Sequence, residues 1–173
     1  MSTLLIGLSV VIQAGGASQR MKQDKGLVGF RGQVLVQRLV ERLSPIANEV
    51  LVTTNNPEPY RFLGVPLAGD LLPGTGALGG LYTALSIARH PSVAVVACDM
   101  PFANPDLLRY EYNLLMATGA DLVIPRQPDG LQPFHAVYRR QTCLPLVRSA
   151  LQAGIRRVDA WFEQVTVRYL NEK

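Results

Sequence analysis

The stretch Leu5–Gln13, with the sequence LIGLSVVIQ, runs directly into the loop Ala14–Lys25, with the sequence AGGASQRMKQDK. The first stretch is apolar and rich in β-branched residues, a pattern that is typical of a buried β-strand. It is short and no Lys or Arg precedes it, which favours a strand over a signal peptide or a membrane span. Gly15 and Gly16 then let the backbone turn sharply where the strand ends. The sequence therefore predicts a first strand that is followed at once by a tight, glycine-rich loop.

Apolar runs of the same kind recur along the chain and alternate with helical patterns. Val93–Ala97 has no polar alternation, which is typical of a strand that helices bury on both faces. The alternation predicts a three-layer α/β/α sandwich around a mostly parallel sheet. We expect a single domain that spans residues 1–173. Folds of this kind bind ligands at the carboxyl ends of the strands. The predicted strands are Leu5–Gln13, Glu49–Thr54, Val65–Leu67, Val93–Ala97, Leu122–Ile124, Phe134–Tyr138 and Val165–Leu170, and the predicted helices are Val34–Leu43, Leu78–Ala88, one that opens at Asn104-Pro105-Asp106, and Gln141–Ala153.

Composition and charge exclude several classes of protein. Of the 173 residues, 48% are hydrophobic and 17% are charged, which is a globular rather than a disordered composition. The formal net charge is +4, and no block of five like charges occurs, so neither a nucleic-acid partner nor a membrane partner is indicated. An unspecific basic surface and an attraction for small polyanions such as nucleotides both remain open. Cys98 and Cys143 form no CxxC motif, which excludes a zinc site and a disulfide framework and favours the reducing cytoplasm.

The loop after the first strand carries candidate ligands for a phosphate. Its two adjacent glycines expose backbone N–H groups to an anion, and Arg20, Lys22 and Lys25 follow as cations suited to a polyphosphate. The loop lacks the Gly-Lys-Ser/Thr ending of a P-loop, so an ordinary P-loop NTPase is not indicated. A surface turn with solvated lysines remains the alternative interpretation.

Two carboxylates stand at predicted strand ends. Asp99 comes shortly after the strand Val93–Ala97, and Asp70 comes shortly after Val65–Leu67. Mg²⁺ prefers one or two carboxylates together with phosphate oxygens and water, which makes Asp99 a candidate metal ligand. A strand-end aspartate can instead cap the turn that follows it. Asp70 is suited to contact a base, a ribose or a metal-bound water, or is an ordinary loop residue.

The GxGxxG pattern of dinucleotide-binding proteins occurs at Gly74-Thr75-Gly76-Ala77-Leu78-Gly79, and Asp99 lies about twenty residues beyond it. That pattern normally occupies the first βα turn of its unit, whereas two predicted strands and a helix precede it here. The short strand before it also contains Pro66. The sequence therefore favours a packing role for Gly76–Gly80, with room beside them for a flat base, over a nicotinamide- or flavin-binding oxidoreductase.

These segments together resemble a known family. The residues Gln13-Ala14-Gly15-Gly16, Arg20-Met21 and Asp24-Lys25-Gly26-Leu27 resemble the Leu-Ala-Gly-Gly, Arg-Met-Gly and Asp-Lys signature of the molybdenum cofactor guanylyltransferases, the MobA-like nucleotidyltransferases. The resemblance covers nearly the whole chain in order. It continues through Gly74–Leu81, Cys98–Pro101, Gln132–Tyr138 and Gly154–Val158.

The resemblance implies a fold and a set of site residues. The implied fold is the Rossmann-like, mostly parallel sheet of the nucleotide-diphospho-sugar transferases. The residues implied to bind the nucleotide are Gln13, Ala14, Gly15, Gly16, Lys25, Asp70 and Asp99, those implied to be catalytic are Arg20, Lys25 and Asp99, and Asp99 is implied to hold Mg²⁺.

The resemblance also implies a reaction, in which the terminal phosphate of molybdopterin attacks the α-phosphorus of GTP and pyrophosphate leaves. Such a transfer relies on alignment and charge neutralisation. The implied partners are GTP and molybdopterin as substrates, with transient contacts to molybdenum cofactor biosynthesis proteins and apo-molybdoenzymes. A CTP-dependent pterin cytidylyltransferase, a sugar-phosphate nucleotidyltransferase and a non-catalytic module that delivers the cofactor remain alternatives.

The chain departs from the family pattern at several places. Gln13 stands where the family has Leu, and Lys22 stands where it usually has Gly. Where the family often has an Asn that touches the nucleotide, this chain reads Thr53-Thr54-Asn55-Asn56, so Thr53 and Asn55 are both candidates. The family normally continues through an Asn-x-Asn-Thr-Pro segment on the pterin side of the cleft. This sequence lacks that segment, and we therefore expect an incomplete acceptor side.

His135 lies on a predicted strand, and the resemblance implies a position beside the acceptor cleft. A phosphate nucleophile is already an anion at neutral pH and needs no general base. The sequence therefore favours a histidine that a neighbouring group satisfies over a catalytic base. Arg156-Arg157 is either a contact for an anionic acceptor or a solvated helix end.

Overall fold

The computed structural model describes residues 3–15, 24–100 and 102–171. Strands and helices alternate along these residues, as the sequence predicts. The strands are β1 (Leu8–Gln13), β2 (Gly29–Phe30), β3 (Gln33–Val34), β4 (Glu49–Thr53), β5 (Leu67–Ala68), β6 (Ser92–Ala97), β7 (Leu122–Gln127), β8 (Gly130–Leu131), β9 (His135–Arg139) and β10 (Val167–Asn171). The α-helices are α1 (Leu35–Leu43), α2 (Gly76–Ile87), α3 (Pro105–Thr118) and α4 (Arg140–Gln152), and 3₁₀ turns lie at Lys25–Leu27, Ser44–Ile46, Glu58–Leu63 and Phe162–Gln164.

One mixed sheet runs through the molecule in the order β10-β7-β9-β6-β1-β4-β5, with β8 attached to β7. β1 lies inside the sheet and pairs in parallel with β4 on one side and β6 on the other. The pairs β4–β5 and β7–β10 are also parallel, whereas β9 runs antiparallel to both β6 and β7. β1, β4, β5 and β6 therefore end at the same edge of the sheet, which is where such folds bind ligands.

Helices cover both faces of this sheet. Val10 and Ile12 of β1 lie in a core shared with α1 and α3, and Val11 lies in a second core shared with α2 and α4. Successive side chains of a strand point to opposite faces, so a strand with no polar alternation must be covered on both. The predicted three-layer α/β/α sandwich is confirmed. No helix of the described residues combines the length and the apolar character needed to cross a bilayer.

The predicted elements are confirmed with shifts at their ends. β1 begins at Leu8 rather than Leu5, directly after Gly7, whose φ of 77° breaks the extended backbone. β5 begins only after Pro66, which has no N–H to donate to a ladder. β7 runs beyond the predicted end because its last two residues pair with β8.

The start of α3 is confirmed at the predicted residue. Asn104 Oδ1 accepts the N–H groups of Asp106 at 2.9 Å and Leu107 at 3.4 Å, and Pro105 occupies the first helical position. Both are standard ways to satisfy the free N–H groups at a helix start. The connection from β6 to α3, which carries Asp99, is therefore short and is fixed where it enters the helix.

Candidate functional site

The carboxyl ends of β1, β4 and β6 meet around Gln13 and Ala14. The Gln13 carbonyl accepts the Cys98 N–H at 2.9 Å, and the Ala14 N–H donates to the Thr53 carbonyl at 2.9 Å. These bonds continue both parallel ladders to the last residue of β1 and the first residue of the loop. Gly15 follows and lies against the backbone beyond β4. The start of the glycine-rich loop is therefore fixed between two neighbouring strand ends.

The turn Lys25–Leu27 brings a lysine to the carboxylate that follows β6. Lys25 Nζ lies 3.8 Å from Asp99 Oδ2, and the two side chains are 45% and 56% exposed. An exposed ion pair of this length contributes little to stability. Both groups are open to solvent, so that a ligand can reach them. A cation beside a carboxylate can bind a phosphate together with its metal ion.

A buried tyrosine supports the backbone on either side of Lys25. Tyr60 is fully buried, and its hydroxyl donates a hydrogen bond to Asp24 Oδ1. The same oxygen accepts the Gly26 N–H at 3.2 Å. Burial, and then the Asp24 carboxylate, hold the pKa of Tyr60 well above its usual value, so the hydroxyl stays protonated and remains a donor. One carboxylate thus joins the turn to the core.

Gly26 occupies a position where no side chain fits. A Cβ atom at this residue would lie 2.6 Å from Tyr60 Oη and 3.2 Å from the Ala14 Cβ atom. The turn therefore packs directly against the residue that follows β1. This close approach ties the turn that carries Lys25 to the end of β1.

A second polar pair lies at the ends of β4 and β5. Asn55 Nδ2 donates to Asp70 Oδ2 at 2.9 Å, and the Asp70 N–H donates to Asn55 Oδ1 at 2.8 Å. Asn55 is exposed, whereas Thr53 is 3% exposed. Thr53 and Asn55 were both candidates for a nucleotide contact. Asn55 offers polar side-chain atoms at the accessible edge of the sheet, and Thr53 does not.

The glycines of the GxGxxG pattern serve close packing. α2 begins at Gly76, and a Cβ atom at Gly79 would overlap the Thr75 side chain. A Cβ atom at Gly80 would lie 3.2 Å from Gln13 Nε2, a buried atom that has no hydrogen-bond partner among the described residues. The pattern follows β5, which is an edge strand, rather than the first strand. Its glycines let α2 approach the end of β1.

A buried acid and histidine lie beside the start of α3. Glu111 is fully buried, and its Oε1 lies 3.4 Å from Nδ1 of His135, which is 7% exposed. His135 Nε2 accepts the Asn104 N–H at 3.3 Å. Burial raises the pKa of Glu111 to about 7, and His135 offsets part of that effect. His135 is thus buried, with Nε2 hydrogen-bonded to the backbone and Nδ1 facing Glu111.

The structure brings most of the residues singled out in the sequence to one edge of the sheet. Gly16, Arg20 and Lys22 lie outside the described residues. The others lie at the carboxyl ends of β1, β4, β5 and β6 or on the turn packed against these ends. They are Gln13, Ala14, Gly15, Lys25, Asp70 and Asp99.

Two supporting residues were missed by the sequence reasoning. Tyr60 lies in the connection between β4 and β5, where nothing in the local pattern sets it apart. Glu111 did leave a signal, because it shares the helical spacing of the apolar residues Leu108 and Leu115. A carboxylate on the buried face of a helix indicates a partner inside the protein.

The donor atoms suit a metal ion that takes most of its ligands from substrate and water. Within residues 3–15, 24–100 and 102–171, no group of three or more His, Cys, Asp and Glu side chains could hold a metal. Burial, and then the adjacent Asp99, raise the pKa of Cys98 to about 11, so the free thiol stays protonated at neutral pH. Asp99 offers an exposed carboxylate beside Lys25. This set fits Mg²⁺ bound together with substrate phosphates.

Comparison with known proteins identifies relatives of this chain. The sequence model of the family described as "MobA-like NTP transferase domain" matches residues 10–167. A curated protein of Pelotomaculum thermopropionicum, named "Probable molybdenum cofactor guanylyltransferase", is 35% identical over 163 residues, which are 94% of this chain and 78% of that protein. The resemblance stated from the sequence is confirmed.

Solved structures share the fold. Molybdopterin-guanine dinucleotide biosynthesis protein A from Archaeoglobus fulgidus superposes with a TM-score of 0.78 at 26% identity, over 94% of this chain and 83% of that one. The 2-C-methyl-D-erythritol 4-phosphate cytidylyltransferase of Thermus thermophilus superposes with a TM-score of 0.69 at 16% identity, over 94% and 88% of the two chains. The second likeness shows the fold alone, and it agrees with the predicted mostly parallel sheet between layers of helices.

Gly26→Ala tests the support beneath Lys25. The new methyl group would press on Tyr60 Oη, so we expect a loss of about 1 to 3 kcal/mol in the free energy of unfolding, measured by denaturant titration. Adding Tyr60→Phe removes the Oη atom and should recover part of the lost stability. If the two substitutions together destabilise by the sum of their separate effects, this contact is not the reason for the glycine.

Glu111→Gln tests the burial of the carboxylate. Because the pKa of Glu111 is raised in the folded protein from 4.5 to about 7, the native state binds this proton more tightly, and wild-type stability falls as the pH rises through that window. The free energy of unfolding of the variant, minus that of the wild type, should therefore increase by about 2 kcal/mol between pH 5.5 and pH 8. A difference that stays constant with pH would show that Glu111 has an ordinary pKa.

Proposed function

Because this chain belongs to the MobA-like NTP transferase family, we propose that it is a molybdenum cofactor guanylyltransferase, which transfers GMP from GTP to the terminal phosphate of molybdopterin and releases pyrophosphate. The observation that carries the proposal is the approach of Lys25 Nζ to Asp99 Oδ2 at 3.8 Å, at the edge where β1 and β6 end. The name of the curated relative supplies the choice of GTP and of a molybdopterin acceptor.

The donor half of the proposed site binds GTP along the loop that follows β1. Gly15 and Gly16 offer backbone N–H groups to the phosphates, since neither residue carries a side chain that would keep an anion away. Lys25 supplies a positive charge on the side of Asp99, and Arg20 supplies a second one. Gln13, Ala14 and Asp70 complete the nucleotide contacts, with Asn55 held beside Asp70.

The proposed reaction needs no covalent intermediate on the protein. An oxygen of the terminal phosphate of molybdopterin attacks the α-phosphorus of GTP and forms a new P–O bond. The bond from the α-phosphorus to the bridging oxygen breaks, and pyrophosphate leaves with the electron pair. The attacking phosphate is already an anion at neutral pH, so no general base is required. The burial of His135 supports a mechanism without one.

Charge neutralisation and alignment supply the catalysis in this proposal. Mg²⁺, held by Asp99 and the nucleotide phosphates, would stabilise the negative charge that develops on the leaving pyrophosphate. Lys25 adds a positive charge whose backbone is held in place, because its turn is attached to the core through Asp24 and Tyr60. Alignment of the two bound substrates then replaces a bimolecular encounter of two anions by a reaction within one complex.

The product must pass to the enzymes that use it. We extend the proposal to transient contacts with other proteins of molybdenum cofactor biosynthesis and with apo-molybdoenzymes. We assign these steps to the cytoplasm, in keeping with two buried cysteines that form no disulfide.

Asp99→Asn tests the proposed metal ligand. The amide keeps the shape of the side chain but removes its charge, so we expect the rate of pyrophosphate release from GTP, molybdopterin and Mg²⁺ to fall by about 10²-fold or more. Asp106→Asn is a matched control, because Asp106 is also exposed but lies in the first turn of α3. Full activity of the Asp99 variant would remove Asp99 from the mechanism.

The choice of nucleotide is tested by thermal unfolding with Mg²⁺ and each of ATP, CTP, GTP and UTP in turn. A ligand that binds only the folded state stabilises it by mass action, so GTP at about 100 times its dissociation constant should raise the Tm by roughly 5 °C or more. Lys25→Ala should reduce that shift. A larger shift with CTP would instead favour a cytidylyltransferase, and GTP binding without turnover on molybdopterin would favour a delivery module.

A further inference from the structure

One peptide group in the segment that carries Asp99 is held at both of its polar atoms by side chains. The described residues 98–100 and 102–104, which we call the Asp99 segment, lie between β6 and α3. The Ala103 carbonyl accepts hydrogen bonds from Arg42 Nε at 3.3 Å and Nη2 at 3.2 Å, and the N–H of Asn104 in the same peptide donates to His135 Nε2 at 3.3 Å. Arg42 lies on α1 and His135 lies on β9, so two separate elements hold this peptide from opposite sides.

The hydrogen bond to Nε2 defines the state of the histidine. A nitrogen that accepts an N–H carries no proton itself, so the proton of the neutral ring lies on Nδ1. Nδ1 is the atom that faces Glu111 Oε1 at 3.4 Å. Among the described residues, neither the carboxylate oxygens of Glu111 nor Nδ1 of His135 has a hydrogen-bond partner, so these buried groups have only each other to compensate them. When Glu111 is ionised, its charge lies beside Nδ1 of His135 and favours the tautomer that carries the proton there, which leaves Nε2 free to accept.

The charges along this series of contacts are arranged in one direction. The cationic Arg42 lies at the oxygen end of the peptide, and the anionic form of Glu111 lies beyond the imidazole at the N–H end. Each group polarises the next, which strengthens hydrogen bonds in a low-dielectric interior. A buried carboxylate is costly unless a partner compensates for it. A leucine at position 111 would pack against the apolar core of α3 without that cost, so packing alone does not account for Glu111.

The remaining contacts connect the held peptide to Asp99. The Ala103 N–H donates to the Met100 carbonyl at 2.9 Å, and the Met100 N–H donates to the Ala97 carbonyl at 3.2 Å. Two successive hydrogen bonds thus link Ala103 through Met100 to the end of β6, and Asp99 lies between Ala97 and Met100. The Phe102 side chain is 59% exposed, and its ring contacts the Phe30 ring edge to face with 5.3 Å between the centroids. Cys98 and Ala103 are buried on either side of Asp99, and the polar contacts at Ala103 and Asn104 add to this anchoring where the segment enters α3.

We propose that Arg42, His135 and Glu111 are positioning residues that hold the Asp99 segment, so that the Asp99 carboxylate keeps its place opposite Lys25 when a nucleotide and a divalent cation bind. This inference rests on the proposed function, in which Asp99 is the metal ligand. It assigns the three residues no contact with substrate. Their effect should therefore appear in the part of nucleotide affinity that depends on Mg²⁺, and not in the affinity of the metal-free nucleotide.

The test compares two substitutions of His135 by calorimetric titration with GTP, once with Mg²⁺ and once with EDTA. The Mg²⁺-dependent gain is the ratio of the GTP affinity with Mg²⁺ to the affinity with EDTA. His135→Leu removes the acceptor for the Asn104 N–H, and this gain should fall by about tenfold, as expected for one lost hydrogen bond. His135→Gln can place an amide oxygen near the position of Nε2 and should keep most of the gain. Glu111→Leu should behave like His135→Leu, and affinity in EDTA should be unchanged in all three variants.

Leu115→Ala provides the control for a general loosening of α3, because Leu115 is fully buried in the same core. It should lower the Tm but leave the Mg²⁺-dependent gain intact. The inference is overturned if His135→Leu keeps the wild-type gain, or if Leu115→Ala loses as much of it. A wild-type protein that shows no gain with Mg²⁺ would overturn the metal assignment of the proposed function, and the inference with it.

Discussion

Parallel pairing of β1 with both β4 and β6 is the constraint on which the site depends. The pairing continues to the last residue of β1, where the Gln13 carbonyl binds the Cys98 N–H and the Ala14 N–H binds the Thr53 carbonyl. Parallel strands end at the same edge, so the glycine-rich loop and Asp99 must emerge beside each other, although more than seventy residues separate them in the sequence. The apolar composition of β1 and β6 keeps both strands covered by helices on each face.

The two exposed charges of the candidate site are each supported by buried groups. Lys25 lies on a turn that Asp24 joins to Tyr60, and Gly26 lets that turn approach the end of β1. Asp99 lies on a segment whose far end is bonded by Arg42 and His135. An exposed ion pair would not hold two flexible side chains in place by itself. Their fixed backbones limit the positions that the two charges can take, which is what binding and aligning a polyphosphate requires.

Much of the fold was predictable because its signals are local. Strands β1 and β6 follow from unbroken apolar runs, and the start of α3 follows from Asn104 and Pro105. The loop glycines, Lys25 and Asp99 were also identified from the sequence. The antiparallel direction of β9 was not predicted, because it depends on how the elements pack. The partners of Tyr60 and Glu111 were not predicted either, because Tyr60 and Asp24 lie 36 positions apart and Glu111 and His135 lie 24 positions apart. Only the buried helical position of Glu111 pointed in advance to an internal partner.

A crystal structure of the chain with GTP and Mg²⁺ tests the central claim most directly. The account predicts a metal ion about 2.1 Å from a carboxylate oxygen of Asp99, phosphates on the backbone after β1, and Lys25 Nζ within hydrogen-bond distance of a phosphate oxygen. A nucleotide bound instead at the glycines that begin α2, with Lys25 and Asp99 free of both phosphate and metal, would contradict it.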